Sequence, residues 1–309
     1  MKIGIVLPHM GPHATIENII NLAKTAEQEK IDSLWVGERL LWPVNPQTPF
    51  PGNPDGSLPT IYQNVLDGLE TLTFVAANTD RIALGTSVID MLFHNPVVLA
   101  RRFATLDILS EGRIIAGLGI GWLKDEYQVS NVPYENKGAR ADEFIEALKK
   151  IWTDDVVEFN GKYYNIPASK IGPKPIQKPH IPIYLGGFSP NTYSRIAKYA
   201  NGWLGAAGGP LGHLANSIKM LRDQAFKANK SRNPDELEIA ILVFPQIDET
   251  PTKQNNTKER ATLSGTIDEV GDDLRKIKEM GADHVIFGFM SMDSEQVIDT
   301  IKWLSGFLI

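Results

Sequence analysis

Leu84 to Trp122 reads LGTSVIDMLFHNPVVLARRFATLDILSEGRIIAGLGIGW, two short apolar runs separated by a longer segment of mixed polarity. The runs, residues 82–89 and 114–121, have the length and near-continuous apolar character of strands buried on both faces. Residues 96–110 between them predict a helix, and Gly112 just beyond is a stop signal. The same alternation continues in both directions. Upstream, a strand at 2–7 precedes a helix at 15–30 whose apolar residues Ile16, Ile19, Ile20, Ala23 and Ala26 share one face, and a strand at 33–37 precedes a helix at 65–78. Downstream, a helix at 139–152 completes the fourth unit. Strands at 181–187, 202–207, 237–247 and 283–289 are then followed by helices at 191–200, 211–229, 266–280 and 294–307.

Eight such units predict a parallel sheet covered by helices, and the number eight favours closure into a single (β/α)8 TIM barrel over an open doubly wound sheet. Thr266 and Glu269 have the spacing of a capping box, and Gly281 marks the end of the same helix. No Gly-, Ser- or Pro-rich linker separates two cores, so residues 1–309 are read as one barrel domain. The long departures from the pattern are 40–64, 122–138, 154–180 and 248–265. Three of them follow strands two, four and seven, where the catalytic loops of a barrel belong. Residues 156–166, VVEFNGKYYNI, are two alternating runs around Asn160-Gly161 and predict a hairpin after helix four, read as a scaffold element.

Composition narrows the chemistry. With 42% hydrophobic and 22% charged residues the chain is of ordinary globular type. It has no cysteine, which removes disulfides, thiolate zinc sites, iron–sulfur clusters and thiol nucleophiles, so redox work requires a bound organic cofactor. A net charge of −6, from 37 acidic against 31 basic residues, disfavours nucleic acid and acidic membranes as partners. Nowhere do about 18 uninterrupted apolar residues occur, and the start lacks a basic region followed by a long apolar stretch, so a cytoplasmic protein is expected. The histidines at 9, 13, 94, 180, 213 and 284 are scattered and show no metal-binding spacing, so no metal site is expected.

The strand C-termini are where a barrel carries its site. Glu38 and Arg39 end strand two, followed by Trp42; such a neighbour pair is either a plain ion pair or a group that binds or protonates a ligand. Thr86-Ser87-Val88 ends strand three, and Phe93-His94-Asn95-Pro96 follows, offering hydroxyls and an apolar wall. Gly117, Gly119 and Gly121 end strand four before Trp122. Their missing side chains either leave a flat wall for a planar ring or let strands pack closely. A long loop follows, which argues against a dinucleotide fingerprint. After strand five, Gly186-Gly187-Phe188-Ser189-Pro190 opens a helix with free backbone N–H groups, a capping serine and a proline at the preferred first position. That is either a plain capped helix or a helix N-terminus prepared for an anion, most simply a phosphate, with Arg140 at the start of helix four as a candidate cation.

With RADEFIEALKKIW at 140–152, IGPKPIQKPHIPIYLGGFSP at 171–190 and ANGW at 200–203 added to the opening stretch, the chain resembles the bacterial luciferase-like family over nearly its whole length. These are flavin- or deazaflavin (F420)-dependent oxidoreductases built on a (β/α)8 barrel. The resemblance implies a ring packed over the end of strand three, with a cis peptide at Ser87-Val88 behind it and Gly119 and Gly121 lining its pocket. It implies that Gly186, Gly187, Phe188 and Ser189 hold the phosphate of the ribityl tail, with Arg140 as a second phosphate ligand. The cofactor is then FMN, reduced by a flavin reductase or NAD(P)H and used to activate oxygen, or coenzyme F420, used for hydride transfer. Glu38 and Arg39 become catalytic candidates. Trp42, His94, Trp122 and Tyr127, with Tyr62 and Tyr134 nearby, would form the cavity and lid for a small, fairly apolar organic substrate, and a homodimer is implied.

Two departures stand out. Many relatives carry a histidine near the end of strand two, where this chain has Arg39, which puts histidine acid–base chemistry in doubt. The sugar-phosphate enzymes carry a glutamate just after the strand-four glycines, where this chain has Trp122, which argues against that activity. Two other readings stand beside the enzyme: a non-catalytic flavin-binding accessory barrel, and a cofactor-free phosphosugar-processing barrel using Glu38 or Asp248 as acid or base.

Overall fold

The structure, a computed structural model, describes residues 1–53, 55–207, 211–228, 233, 236–246, 260–289 and 294–306. Asp248 and the strand-end residues 208–210 and 290–292 lie outside the described residues. The strands are β1 (Lys2–Val6), β2 (Ser33–Val36), β3 (Ala83–Thr86), β4 (Ile89–Asp90), β5 (Ile114–Gly119), β6 (Val157–Asn160), β7 (Asn165–Ser169), β8 (Ile183–Gly186), β9 (Gly202–Ala207), β10 (Glu238–Val243) and β11 (His284–Phe287). The helices are α1 (Ile16–Gln28), α2 (Gly68–Ala76), α3 (Pro96–Leu109), α4 (Lys124–Val129), α5 (Lys137–Thr153), α6 (Pro190–Tyr199), α7 (Leu211–Ala228), α8 (Ile267–Glu279) and α9 (Ser294–Ser305). Hydrogen bonding runs in the order β3-β2-β1-β11-β10-β9-β8-β5, and β3 also pairs with β5, so eight strands close on themselves as a (β/α)8 barrel. The short β4 extends the line of β3 and pairs with β5 through Ile89–Leu118 and Asp90–Gly119. None of the described helices is long and apolar enough to cross a membrane.

Local chemistry explains where elements begin and end. Asn95 accepts hydrogen bonds from the N–H groups of Val97 and Val98, and Pro96 fills the first turn, so α3 starts where it does. At α8 the Thr266–Glu269 capping box is present in both directions. Helix α2 starts at Gly68 rather than at 65, because Asp67 caps it through Leu69 N–H and Val65 bridges to Met10. Strand β10 stops at Val243, shortly before Pro245, which has no N–H to give a ladder. The predicted hairpin forms as β6–β7, yet its turn is not a two-residue Asn-Gly turn. Asn160 pairs with Asn165. The four residues between are closed by Gly161 N–H donating to the Tyr164 carbonyl and by the Glu143 carboxylate, which accepts from Lys162, Tyr163 and Tyr164 N–H at 2.9, 2.8 and 3.3 Å.

Contacts divide the chain into two compact units. The first comprises Met1–Leu7, Thr25–Trp35 and Tyr184–Ile309. Its core holds Ile3, Ile5, Trp35, Trp203, Ile241 and Phe287 around a buried polar group. There Trp35 Nε1 donates to Ser33 Oγ at 2.6 Å, and Ser33 Oγ lies 2.8 Å from His284 Nε2. Burial pushes the His284 imidazole down to about 3. The unfolded chain therefore binds this proton near pH 6.5 and the folded chain does not, so stability contributed here is full above that pH and is lost as pH falls toward 3. Urea denaturation between pH 7 and 4 is expected to show that decline, and a substantially shallower one in His284→Gln; equal slopes would assign it to other groups.

The second unit comprises Pro8–Lys24 and Val36–Ile183. Leu72, Leu84, Leu99, Phe103, Phe144 and Trp152 form its core, with Trp152 Nε1 donating to the Ala100 carbonyl at 3.0 Å. The buried Asp107 carboxylate accepts the N–H groups of Ile176 and Gln177 at 2.7 and 3.1 Å and pins the chain beyond the hairpin.

Candidate active site

Beyond Val36, residues 37–39 leave β2 at its C-terminal end, and two clamps fix their course. Gly37 N–H donates to Nε2 of the buried His9 at 2.8 Å. Ser87 N–H donates to the Val36 carbonyl at 2.6 Å and Glu38 N–H to the Val88 carbonyl at 3.1 Å, which ties the end of β2 to the segment joining β3 and β4. The peptide bond between Ser87 and Val88 is cis, as the resemblance implies.

On this frame Glu38, Arg39, Asp90, His94 and Glu126 meet. One Glu38 oxygen accepts Asp90 N–H at 2.9 Å, and the other lies 2.8 Å from His94 Nε2. Arg39 donates from Nε to the Glu38 carbonyl at 2.7 Å, from Nη1 to Glu126 at 2.9 Å and from Nη2 to Asp90 at 2.9 Å. The rings of Tyr62 and Trp122 lie 5.8 and 5.6 Å from its guanidinium carbon. The remaining Glu126 oxygen accepts Leu40 N–H, and the remaining Asp90 oxygen accepts Gly121 N–H, both at 2.9 Å. Side-chain exposure is 0% for Glu126, 4% for Asp90 and 10% for Arg39, against 15% for His94, so the imidazole forms the more open edge of the cluster. Burial pushes the Asp90 carboxyl up to about 6 and the Glu126 carboxyl up to about 7, with Arg39 pulling both the other way. Both therefore exchange protons close to neutral pH.

Several expected residues support this cluster rather than complete it. A Cβ at Gly119 would stand 2.5 Å from Val88 Cγ2 and from Asp90 Oδ1, so close strand packing accounts for the glycine. Gly121 contributes its N–H to Asp90. Tyr127 is 2% exposed, donates its hydroxyl to the Ile120 carbonyl and packs edge-on to Phe93 and Tyr134 with centroids 5.0 Å apart. Trp122 packs against Phe50 at 5.7 Å. Trp42 is half-buried, and its Nε1 is buried without a hydrogen-bond partner. The insertion following β2 is laced to α4: Gln47 donates to Asp125 and Gln128, and Lys124 N–H donates to Thr48.

Sequence reasoning placed Glu38, Arg39 and His94 but missed Asp90 and Glu126. Asp90 had a usable signal, a lone carboxylate inside an apolar run, which is costly unless paired. Glu126 had only its position in the first turn of a six-residue helix.

The second predicted feature stands at the start of α6. Ser189 Oγ accepts Thr192 N–H at 3.1 Å, Pro190 follows at the first helical position, and Gly186 ends β8. Gly187 has φ of 128°, a conformation suited to glycine, and its carbonyl accepts Trp203 Nε1–H at 2.9 Å. Phe188 is half exposed and sits edge-on to Trp203. Arg140, on α5, lies over the Tyr163 ring at 4.5 Å, and its Nε is buried without a partner.

A family model described as luciferase-like monooxygenase matches residues 1–255. The chain belongs to the luciferase-like family. Members of the luciferase-like family are F420- or FMN-dependent oxidoreductases or monooxygenases. An uncharacterized protein of Mycobacterium tuberculosis is 35% identical over 286 residues, covering 92% of this chain and 91% of that protein. An F420-dependent glucose-6-phosphate dehydrogenase of Kineococcus radiotolerans is 28% identical over 255 residues, covering 81% and 70%. Among solved structures, the monooxygenase RslO1 of Streptomyces bottropensis superposes with a TM-score of 0.79 at 21% identity over 100% of this chain and 98% of that one, a likeness of fold.

Proposed function

We propose that this chain is an oxidoreductase that uses coenzyme F420 to transfer a hydride to or from a small, fairly apolar alcohol or carbonyl compound. The observation that carries this reading is the Glu38–His94 pair at 2.8 Å beside the Ser87-Val88 peptide. It restores to the end of strand two the histidine that Arg39 displaces, bringing it from beyond β4. The dehydrogenase relative, by its name F420-dependent, supports hydride transfer over oxygen activation.

The residues present fit a phosphate-bearing cofactor. Each unit offers a feature of the kind that takes an anion: in one, Arg140 Nε is a buried donor without a partner, and in the other, Ser189 caps a helix N-terminus. When bound, the cofactor supplies the two-electron hydride donor or acceptor. His94, with Nε2–H donated to Glu38, holds Nδ1 as the proton-accepting atom. Nδ1 takes the proton of an alcohol hydroxyl, or in the imidazolium form returns one to a carbonyl oxygen, while the Glu38 carboxylate stabilises the imidazolium. Trp42, Tyr62 and Trp122 exclude water.

Titrating purified protein separately with F420 and with FMN, followed by fluorescence, tests the reading. Micromolar binding of F420 and oxidation of apolar alcohols are expected. Binding of neither cofactor overturns the proposal. Binding of FMN alone, with oxygen consumption, replaces it with the monooxygenase, and binding without turnover replaces it with the accessory subunit. Ser189→Asp keeps a good helix cap but sets a charge beside the proposed phosphate site, and it is expected to abolish cofactor binding; unchanged affinity would remove residues 187–189 from the site.

A further inference from the structure

We infer, building on the oxidoreductase reading, that the substrate is uncharged or positively charged and that the Arg39–Asp90–Glu126 arrangement makes this site turn away carboxylate- and phosphate-bearing molecules. An arginine at a strand C-terminus is ordinarily an anion anchor, because its planar fork matches carboxylate and phosphate oxygens. Arg39 is already engaged by the protein. Each of its three nitrogens already has an oxygen partner within 2.9 Å, two of them carboxylates that belong to the protein. Tyr62 and Trp122 stand beside the guanidinium. Glu38, Asp90 and Glu126 set three carboxyls around one guanidinium, so acidic groups outnumber the cation there.

An incoming anion therefore meets like charge and must compete with two protein carboxylates for the cation. A neutral alcohol meets only the Glu38–His94 pair. An ammonium group meets the acidic cluster and the partly exposed rings of Tyr62 and Trp122, surfaces that attract cations. Lys137 is held by the Tyr134 hydroxyl at 3.1 Å and the Gly121 carbonyl at 3.3 Å, with the Tyr134 ring 4.2 Å away. The glucose-6-phosphate dehydrogenase relative takes, by its name, a phosphorylated sugar. The inferred preference would set this chain apart from it.

The test is a matched series of cyclohexanols carrying at C4 a methyl, an aminomethyl, a carboxylate or a phosphate group. Cofactor binding is measured first by fluorescence, so that failure of the oxidoreductase reading is seen on its own. Binding of each compound to the cofactor-loaded protein is then read by calorimetry, alongside kcat/KM where turnover occurs. The methyl and aminomethyl compounds are expected to bind at least about tenfold more tightly than the carboxylate and phosphate. Raising ionic strength from about 0.02 to about 0.3 M should narrow that gap and leave the methyl compound unchanged. Glu126→Gln should narrow it as well, and the salt arm decides the matter if that variant does not fold. Equal or tighter binding of the anionic compounds, a gap unmoved by both salt and Glu126→Gln, or no binding by any member overturns the inference. A protein that binds the neutral compound but does not oxidise it sinks the proposed reaction and leaves the charge preference standing.

Discussion

Arg39→Ala is expected to lower stability by about 3–5 kcal/mol at pH 8 and by much less at pH 5.5, because it leaves two buried carboxylates without their cation. Asp90 and Glu126 sit at about 6 and about 7 in the folded chain, above ordinary carboxylate values near 4. Between those limits the folded state binds more protons than the unfolded one, so their contribution to stability declines as pH rises from about 4 to about 7. Below pH 6 the variant buries largely protonated carboxyls, which hydrogen bonding satisfies. Above pH 7, without the guanidinium that holds both carboxyls down, it must either bury unbalanced charge or spend free energy keeping them protonated. Urea denaturation across this range measures the difference. A loss independent of pH would mean that packing between Tyr62 and Trp122, rather than charge, is what Arg39 provides. Arg39→Lys should recover only part of the stability, since one ammonium cannot reproduce the three-nitrogen geometry.

His94→Ala is expected to lower kcat by about 10²–10³-fold while leaving cofactor affinity and the unfolding midpoint near the parent's. The imidazole is the more open member of the cluster, so its removal leaves no large cavity. It does remove the group that moves the substrate proton. Glu38→Gln should lose less activity than His94→Ala, because an amide oxygen still accepts from the ring but no longer stabilises its cation. A kcat within threefold of the parent in His94→Ala would assign proton transfer elsewhere.

The strands were legible because each is a short, nearly uninterrupted apolar run, a pattern that needs no partner to be recognised. Helix α4 was not, since six residues inside an insertion carry too little period to be told from loop. The hairpin was visible in Asn160-Gly161, but the form of its turn was decided by Glu143, a residue on a different element. The same holds at the site. Glu38 and Arg39 announce themselves by standing at a strand end. Their partner Glu126 lies 87 residues beyond Arg39 in sequence, and only the folded chain brings the two together. Arg39 pointed away from histidine chemistry when read by position. His94 reaches Glu38 from beyond the neighbouring strand end, where the sequence marked it as a substrate contact.

The lacing of the insertion after β2 to α4 bears on how such a protein diversifies. Gln47, Thr48 and Leu40 on one segment and Lys124, Asp125, Glu126 and Gln128 on the other make the two segments a single heritable part. Exchanging the loop after β2 alone would disturb the Leu40 N–H that Glu126 accepts, and exchanging α4 alone would take Glu126 away from Arg39 and Leu40. Exchanging both together would carry the whole interlock across. Directed evolution of new specificity on this scaffold should therefore recombine the two loops as a cassette.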